Sequence, residues 1–156
     1  MRRHQGRWVF YLFADMTDHL SSTARSALMA SVLGKNTQPE IVIRKLVHAL
    51  GFRFRLHRKS LPGCPDLVFP SKRKVIFVHG CFWHRHKGCK RATTPKTRTD
   101  FWLKKFESNI SRDQRNLDAL CEAGWGTLIV WECSLKDIDR TAGTLRHFLS
   151  ASTEDI

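Results

Sequence analysis

Acidic residues are scarce in this 156-residue chain: 14 Asp and Glu stand against 27 Lys and Arg, a formal charge of +13 at pH 7. A surplus of that size costs self-repulsion in the compact state and is usually matched by a polyanion, either nucleic acid or an anionic membrane surface. Long apolar runs are missing too. None approaches the roughly 18 residues a membrane span needs, which excludes an integral helical membrane protein. The chain has no internal repeat and no long low-complexity stretch, so collagen and coiled coil drop out. Cysteines are few and odd in number, five beside eight histidines, in a chain without a convincing export signal. That combination argues for metal binding over a disulfide framework. With 42% apolar residues, the length suits one domain with a single core.

Arg2, Arg3 and Arg7 precede a short apolar run from Trp8 to Ala14, a faint imitation of a signal peptide that lacks both length and a cleavage site. Residues 1–15 are therefore expected to be an N-terminal extension, disordered or a start-site artefact, since Met16-Thr17-Asp18 would make a start by itself. Residues 16–36 read as a basic arm, 37–150 as the folded domain and 151–156 as a tail.

Thr37-Gln38-Pro39-Glu40 matches a capping box, and Ile43, Leu46, Val47 and Leu50 continue it as one helical face stopped by Gly51. Phe52, Phe54 and Leu56 alternate with Arg53, Arg55 and His57, the period of a half-buried strand. Leu67-Val68-Phe69 predicts a short strand, and Pro70-Ser71-Lys72 a turn into Val75-Ile76-Phe77-Val78, an apolar run suited to a central strand. Residues 80–99 show no periodicity, and irregular segments of that length inside a small domain are usually functional or disordered. Leu103, Phe106, Ile110, Leu117 and Leu120 predict the apolar stripe of a long helix ended by Gly124. Leu128-Ile129-Val130 reads as another strand, and a helix around Thr144 to Leu149 closes the chain. The order α-β-β-β-α-β-α predicts an α/β fold, a mixed central sheet flanked by helices.

The irregular segment is rich in ligands. Cys81, His86 and Cys89 have nearly the spacing of a zinc loop, and Cys133, just past a strand, is the natural fourth donor. Ordinary buried thiols are the plainer reading, and it suits Cys64 and Cys121, which lack histidines at such spacing. Asp66 follows Pro65 at the head of a strand, where a carboxylate suits Mg²⁺ completed by substrate phosphate. Nuclease sites pair such an aspartate with an acid and a lysine on the next strand, but Phe77 and His79 stand in those two places, and Pro-Asp also opens ordinary turns. Asp113 lies on the predicted stripe of the long helix, where a buried carboxylate needs a metal or a partner such as Arg112 or Arg115. Glu40 has a full explanation in the capping box, which leaves room for a second role. Phe82, Trp83, Phe101 and Trp102 flank the basic loop of Lys87, Lys90, Arg91, Lys96 and Arg98, a mixture suited to stacking on or wedging between bases. Trp125 and Trp131 are expected in the core.

Taken together, Leu61-Pro62-Gly63-Cys64-Pro65-Asp66, Val78-His79-Gly80-Cys81-Phe82-Trp83-His84, Thr97-Arg98-Thr99-Asp100-Phe101-Trp102 and Val130-Trp131-Glu132-Cys133 closely resemble the very short patch repair (Vsr) mismatch endonucleases, in order and in spacing, over about residues 16–150. The resemblance implies a restriction-endonuclease-like fold with a structural zinc loop, and a Mg²⁺-dependent nick 5′ of the thymine in a T:G mismatch left by 5-methylcytosine deamination. It implies Asp66 as the direct Mg²⁺ ligand, helped by the main-chain carbonyl of Val78. His79, Glu40 and Asp113 would hold waters of the ion's shell, and His84 would be the general base. Phe82, Trp83 and Trp102 would form a wedge beside the mismatch, with Lys96 and Arg98 on the DNA, and Cys81, His86, Cys89 and Cys133 would bind Zn²⁺. The chain departs from the family in its first fifteen residues and in one extra residue, Lys87 or Gly88, within the zinc loop. Further implied are mismatched double-stranded DNA as partner, a link to mismatch-repair proteins, a companion cytosine-5 methyltransferase, a monomer, and a bacterial cytoplasmic, nucleoid-associated setting away from membranes. Two rivals remain open here: a homing or restriction-type endonuclease cutting matched DNA on the same scaffold, and a non-catalytic zinc DNA-binding module.

Overall fold

Helix α1 (Gln38–Ala49) starts where the capping box places it: the Glu40 amide donates to Thr37 Oγ1, and the Thr37 amide donates back to the Glu40 carboxylate. Its Ile43 and Val47 are fully buried, and Gly51 reverses the chain with a φ of 89°, which glycine adopts without a Cβ clash. The computed structural model describes Ser21, Thr23, Ala24 and residues 34–151, so the expected extension, most of the expected arm and the tail beyond 151 lie outside the described residues.

Four strands and two further helices follow in the expected order: β1 (Arg55–Leu56), β2 (Leu67–Phe69), β3 (Lys74–His79), α2 (Thr99–Glu122), β4 (Gly126–Trp131) and α3 (Ile138–Ser150). The sheet runs β1-β2-β3-β4, antiparallel across the first two pairs and parallel between β3 and β4. A parallel pair needs a long crossover, and residues 80–98 together with α2 supply it. One face of the sheet buries Leu67, Phe69, Ile76 and Val130 against Ile43 and Val47 of α1 and Leu145 and Leu149 of α3. The opposite face packs Val68, Val75 and Phe77 on Leu120 of α2. The fold is thus α/β with three layers. Lys74, fully buried at the head of β3, donates from Nζ to the carbonyls of Phe148 (2.6 Å) and Ala151 (2.7 Å) and so closes the negative end of α3. Among the described residues no helix is long and apolar enough to cross a membrane.

Three expectations need correction. The strand predicted over 52–57 pairs only at Arg55 and Leu56, and Leu56 is 43% exposed. Phe52 and Phe54 pack on the core before pairing begins, and His57, at a φ of 47°, turns the chain out of the sheet. The stripe of α2 is also rotated from its predicted setting: Leu103 and Ile110 are about half exposed, and the buried positions are Trp102, Phe106, Asn109 and Leu120. The inward face takes Asn109 and, one turn on, the half-buried Asp113, because both find partners in the irregular loop. A stripe drawn through apolar residues alone misses a face that is partly polar by design. Trp125 and Trp131, expected in the core, are only partly buried.

Candidate active site and metal centre

Asp66 heads β2 beside the far end of β3, and its Oδ2 accepts the Val78 amide at 2.7 Å. The loop before it is held against α2: a Cβ added to Gly63 would meet the Asn116 side chain at 3.0 Å, so the backbone there can sit close only as glycine. Burial pushes the Asp66 carboxyl up to about 6; the Val78 amide opposes the shift and the nearby charge of Glu40 adds to it. Glu40, 2% exposed, is ion-paired with Arg44 one turn along α1 and lies 3.0 Å from His57 Nε2. A largely buried carboxylate with a second carboxylate and an imidazole nearby is a donor set that fits a divalent cation.

His79 ends β3 at 7% exposure, its ring stacked on that of His84 with centroids 3.7 Å apart and planes at 12°. Burial first, and then the neighbouring His84, drive the His79 imidazole down to about 3, so it is neutral at pH 7. His84 Nδ1 is 2.5 Å from Asp113 Oδ2, and Arg112 holds the other oxygen at 3.0 Å. Burial would raise the Asp113 carboxyl, but the hydrogen bond and charge of His84 and the hydrogen bond from Arg112 outweigh it and keep the group below its ordinary value. Ionised Asp113 fixes the proton of His84 on Nδ1 and leaves Nε2 open as a base. Asn109 donates to the Trp83 carbonyl at 3.0 Å, so one face of α2 clamps both ends of the Trp83-His84 pair.

Just beyond lies the second cluster. His79 is level with Trp131 in the parallel register, so Cys81 and Cys133 each lie two residues past a paired position and meet. Cys81, His86, Cys89 and Cys133 bring their donor atoms within 4.8 Å of one another, with His86 Nδ1 3.6 Å from Cys81 Sγ and 3.3 Å from Cys133 Sγ. Burial pushes the Cys81 thiol up to about 12 and raises Cys133, whereas in Cys89 burial is outweighed by the Arg91 amide and by hydrogen bonds within the thiol set, which lower it. Three thiols and an imidazole converging in this way form a donor set for a tetrahedral soft ion. Trp131 links the two clusters, stacked on His86 at 4.1 Å and edge-on to His79 at 5.5 Å. An ion pair of Arg91 with Glu132 (3.0 Å) ties the loop to the turn that carries Cys133.

Phe82, Trp83, Trp102 and Phe106 form one aromatic group with centroids 5.1–6.0 Å apart. Trp102 is 7% exposed and braces Phe82 and Trp83 from below, while Phe101 is the exposed ring at 49%, under the Arg98 guanidinium. Lys96 and Arg98 lie on the exposed run leading into α2.

The structure thus brings together Asp66 with Val78, His79 with His84 and Asp113, and all four soft donors, and it sets Glu40 near Asp66 through His57. Sequence reasoning passed over His57, Arg44 and Asn109. Arg44 had a signal, its i,i+4 spacing from Glu40; His57 looked like the polar side of a strand, and Asn109 had none.

The family model of the DNA mismatch endonuclease Vsr matches residues 17–91. The chain is 53% identical over 137 residues to the type II nicking enzyme V.XorIIP of Xanthomonas oryzae pv. oryzae (strain KACC10331 / KXO85), covering 88% of this chain and all of that one. It is 44% identical over 121 residues to the DNA mismatch endonuclease Vsr of Escherichia coli (strain K12), covering 78% and 77% of the two chains. Against the type II nicking enzyme V.NmeAIP of Neisseria meningitidis (serogroup A / serotype 4A, strain DSM 15465 / Z2491) it is 41% identical over 122 residues, 78% of this chain and 86% of that one. With identities of this size over more than three quarters of its length, the chain belongs to the Vsr family of DNA endonucleases.

Proposed function

We propose that this enzyme nicks one strand of duplex DNA on the 5′ side of the thymine in a T:G mismatch produced by deamination of 5-methylcytosine, using Mg²⁺ for catalysis and Zn²⁺ as a structural staple. The observation that carries the reading is the meeting, at one end of β3, of the Asp66–Val78 pair with the stacked His79 and His84 backed by Asp113.

Asp66, with the Val78 carbonyl, would hold Mg²⁺, and Glu40, His79 and Asp113 would order water around it. When bound, the ion neutralises phosphate charge and stabilises the leaving oxygen. His84 Nε2 takes the proton of the attacking water, and Asp113 steadies the imidazolium that results. His79 assists by staying neutral, since a second charged ring stacked at 3.7 Å would oppose that step. Asp113→Asn should therefore lower the nicking rate on the order of 10²- to 10⁴-fold with little change in DNA affinity, read by single-turnover nicking beside a binding titration. An unchanged rate would remove His84 as the base.

Phe82 and Trp83, braced by Trp102, suit insertion beside a wobble pair that is easier to unstack than a matched one, so mispairing is read as deformation energy. Lys96, Arg98 and the overall +13 charge supply affinity independent of sequence. Cys81, His86, Cys89 and Cys133 would hold Zn²⁺ and so order the loop that carries Phe82, Trp83 and His84. The chain would act as a monomer, serving DNA modified by a cytosine-5 methyltransferase and working alongside mismatch-repair proteins.

A second reading draws on the relatives named type II nicking enzymes: cleavage of matched DNA at a particular sequence. Strand-resolved nicking of labelled duplexes with Mg²⁺ decides between them, with T:G mismatches and matched controls in varied flanking sequence. One nick 5′ of the mismatched thymine is expected, with matched duplexes intact. Equal cutting of matched DNA would favour the second reading, and no cutting in any metal would leave only a DNA-binding module.

A further inference from the structure

One side chain of the Asp66 cluster has no task in the scheme above. His57 Nε2 is 3.0 Å from Glu40 Oε1 and its Nδ1 is 4.0 Å from Asp66 Oδ1, and one donor atom from each of the three residues lies within 4.8 Å of the others. The two ring nitrogens stand differently: Nε2 has Glu40 Oε1 at 3.0 Å and Arg44 Nη2 at 2.9 Å, whereas Nδ1 faces the Asp66 carboxylate. A proton on Nδ1 would face Asp66 across 4.0 Å, beyond hydrogen-bond reach, and leave that N–H without an acceptor. Without an ion, Nε2 can accept from Arg44 Nη2, which also contacts Glu40 Oε1; an ion on Nδ1 would put the ring proton on Nε2, where Glu40 Oε1 can accept it. The Nδ1 lone pair then points into the gap before Asp66 Oδ1, the carboxylate oxygen not engaged by Val78. Two donors each roughly 2.1–2.2 Å from a common ion can span such a gap. An imidazole whose far nitrogen is held by a carboxylate is also the arrangement by which proteins orient a ligating histidine.

We propose that His57 Nδ1 is a further protein donor to the ion held by Asp66, with Glu40 orienting its ring, so that the site favours Mn²⁺ over Mg²⁺ more than an all-oxygen site would. The proposal rests on the reading of Asp66 as an ion ligand.

Mn²⁺ is the probe, added to the full chain after its thiol centre has been filled with one equivalent of Zn²⁺. A nitrogen bonded directly to Mn²⁺ gives ¹⁴N hyperfine modulation in pulsed electron paramagnetic resonance. The modulation should be present in the wild type and in His79→Gln and absent in His57→Gln. His57→Glu, which restores a donor atom as oxygen, should bind Mn²⁺ without modulation. The Mn²⁺ dissociation constant should rise on the order of tenfold in His57→Gln, with a smaller change for Mg²⁺. Modulation that survives in His57→Gln, or that is missing from ion-loaded wild type, overturns the proposal. Equal Mn²⁺ binding by the wild type and Asp66→Ala overturns the underlying reading of Asp66, and the proposal with it.

Discussion

Asp66→Asn is expected to lower nicking on the order of 10³-fold or more while making the metal-free protein more stable at pH 8 than the wild type. The two effects share a cause. Burial lifts the Asp66 carboxyl from 3.8 to about 6, so between those values the folded chain binds a proton that the unfolded chain has released. Stability is therefore fully present below pH 3.8 and is lost as pH rises through about 6, by about 3 kcal/mol for this group. Asparagine keeps an acceptor for the Val78 amide and carries no charge, which removes the penalty together with the charge that a cation needs. Urea unfolding at pH 4.5 and pH 8 should show the wild type losing stability relative to the variant across that interval, the difference between the two being the readout because the buried neutral His79 titrates in both, and Mg²⁺ should stabilise only the wild type. A variant that still nicks, or that is the less stable of the two at pH 8, would show that Asp66 is an ordinary turn residue.

That carboxylate also marks how far the sequence could be read. Pro65-Asp66 gave its position, and the lengths of the flanking strands made a meeting with Val78 natural, because antiparallel neighbours fix which backbone amide faces which side chain. The four soft donors were legible for a similar reason: a dense loop needs a staple, and a parallel register brings the ends of two buried strands level. What stayed hidden was set by tertiary partners. The inward face of α2 follows from a carbonyl and an imidazole offered by the loop, and hydrophobic periodicity carries no trace of either. His57 reached Asp66 through a left-handed turn at a non-glycine residue, a conformation that residue type alone does not announce. The resemblance to the Vsr family supplied roles for residues whose separate motifs were weak, and it was silent on Arg44 and His57.

The largest stability effect is expected at the soft-donor cluster. Residues 80–98 contain neither helix nor strand, yet this segment places His84, Phe82 and Trp83, so something must offset the entropy of ordering it. Buried thiols alone do this poorly: Cys81 and Cys133 are held in their neutral form by burial, and neutral thiols make only weak hydrogen bonds. A bound Zn²⁺ would draw off those protons and link the end of β3 to the turn after β4. Cys133→Ser, or a strong chelator, should cost on the order of several kcal/mol and lower Tm by about 15 °C, with nicking lost in parallel because the loop carries His84, the proposed base. Cys121→Ser and Cys64→Ser, which change thiols outside the cluster, should leave both Tm and bound zinc within a few per cent of the wild type. Metal analysis should find one zinc per chain in the wild type and in those two variants, and none in Cys133→Ser. Fully active protein free of zinc, or a Cys133→Ser variant with unchanged Tm, would mean that the four side chains meet only as packing, and the order of the loop would then have to come from the Arg91–Glu132 ion pair and the stacking of His86 on Trp131.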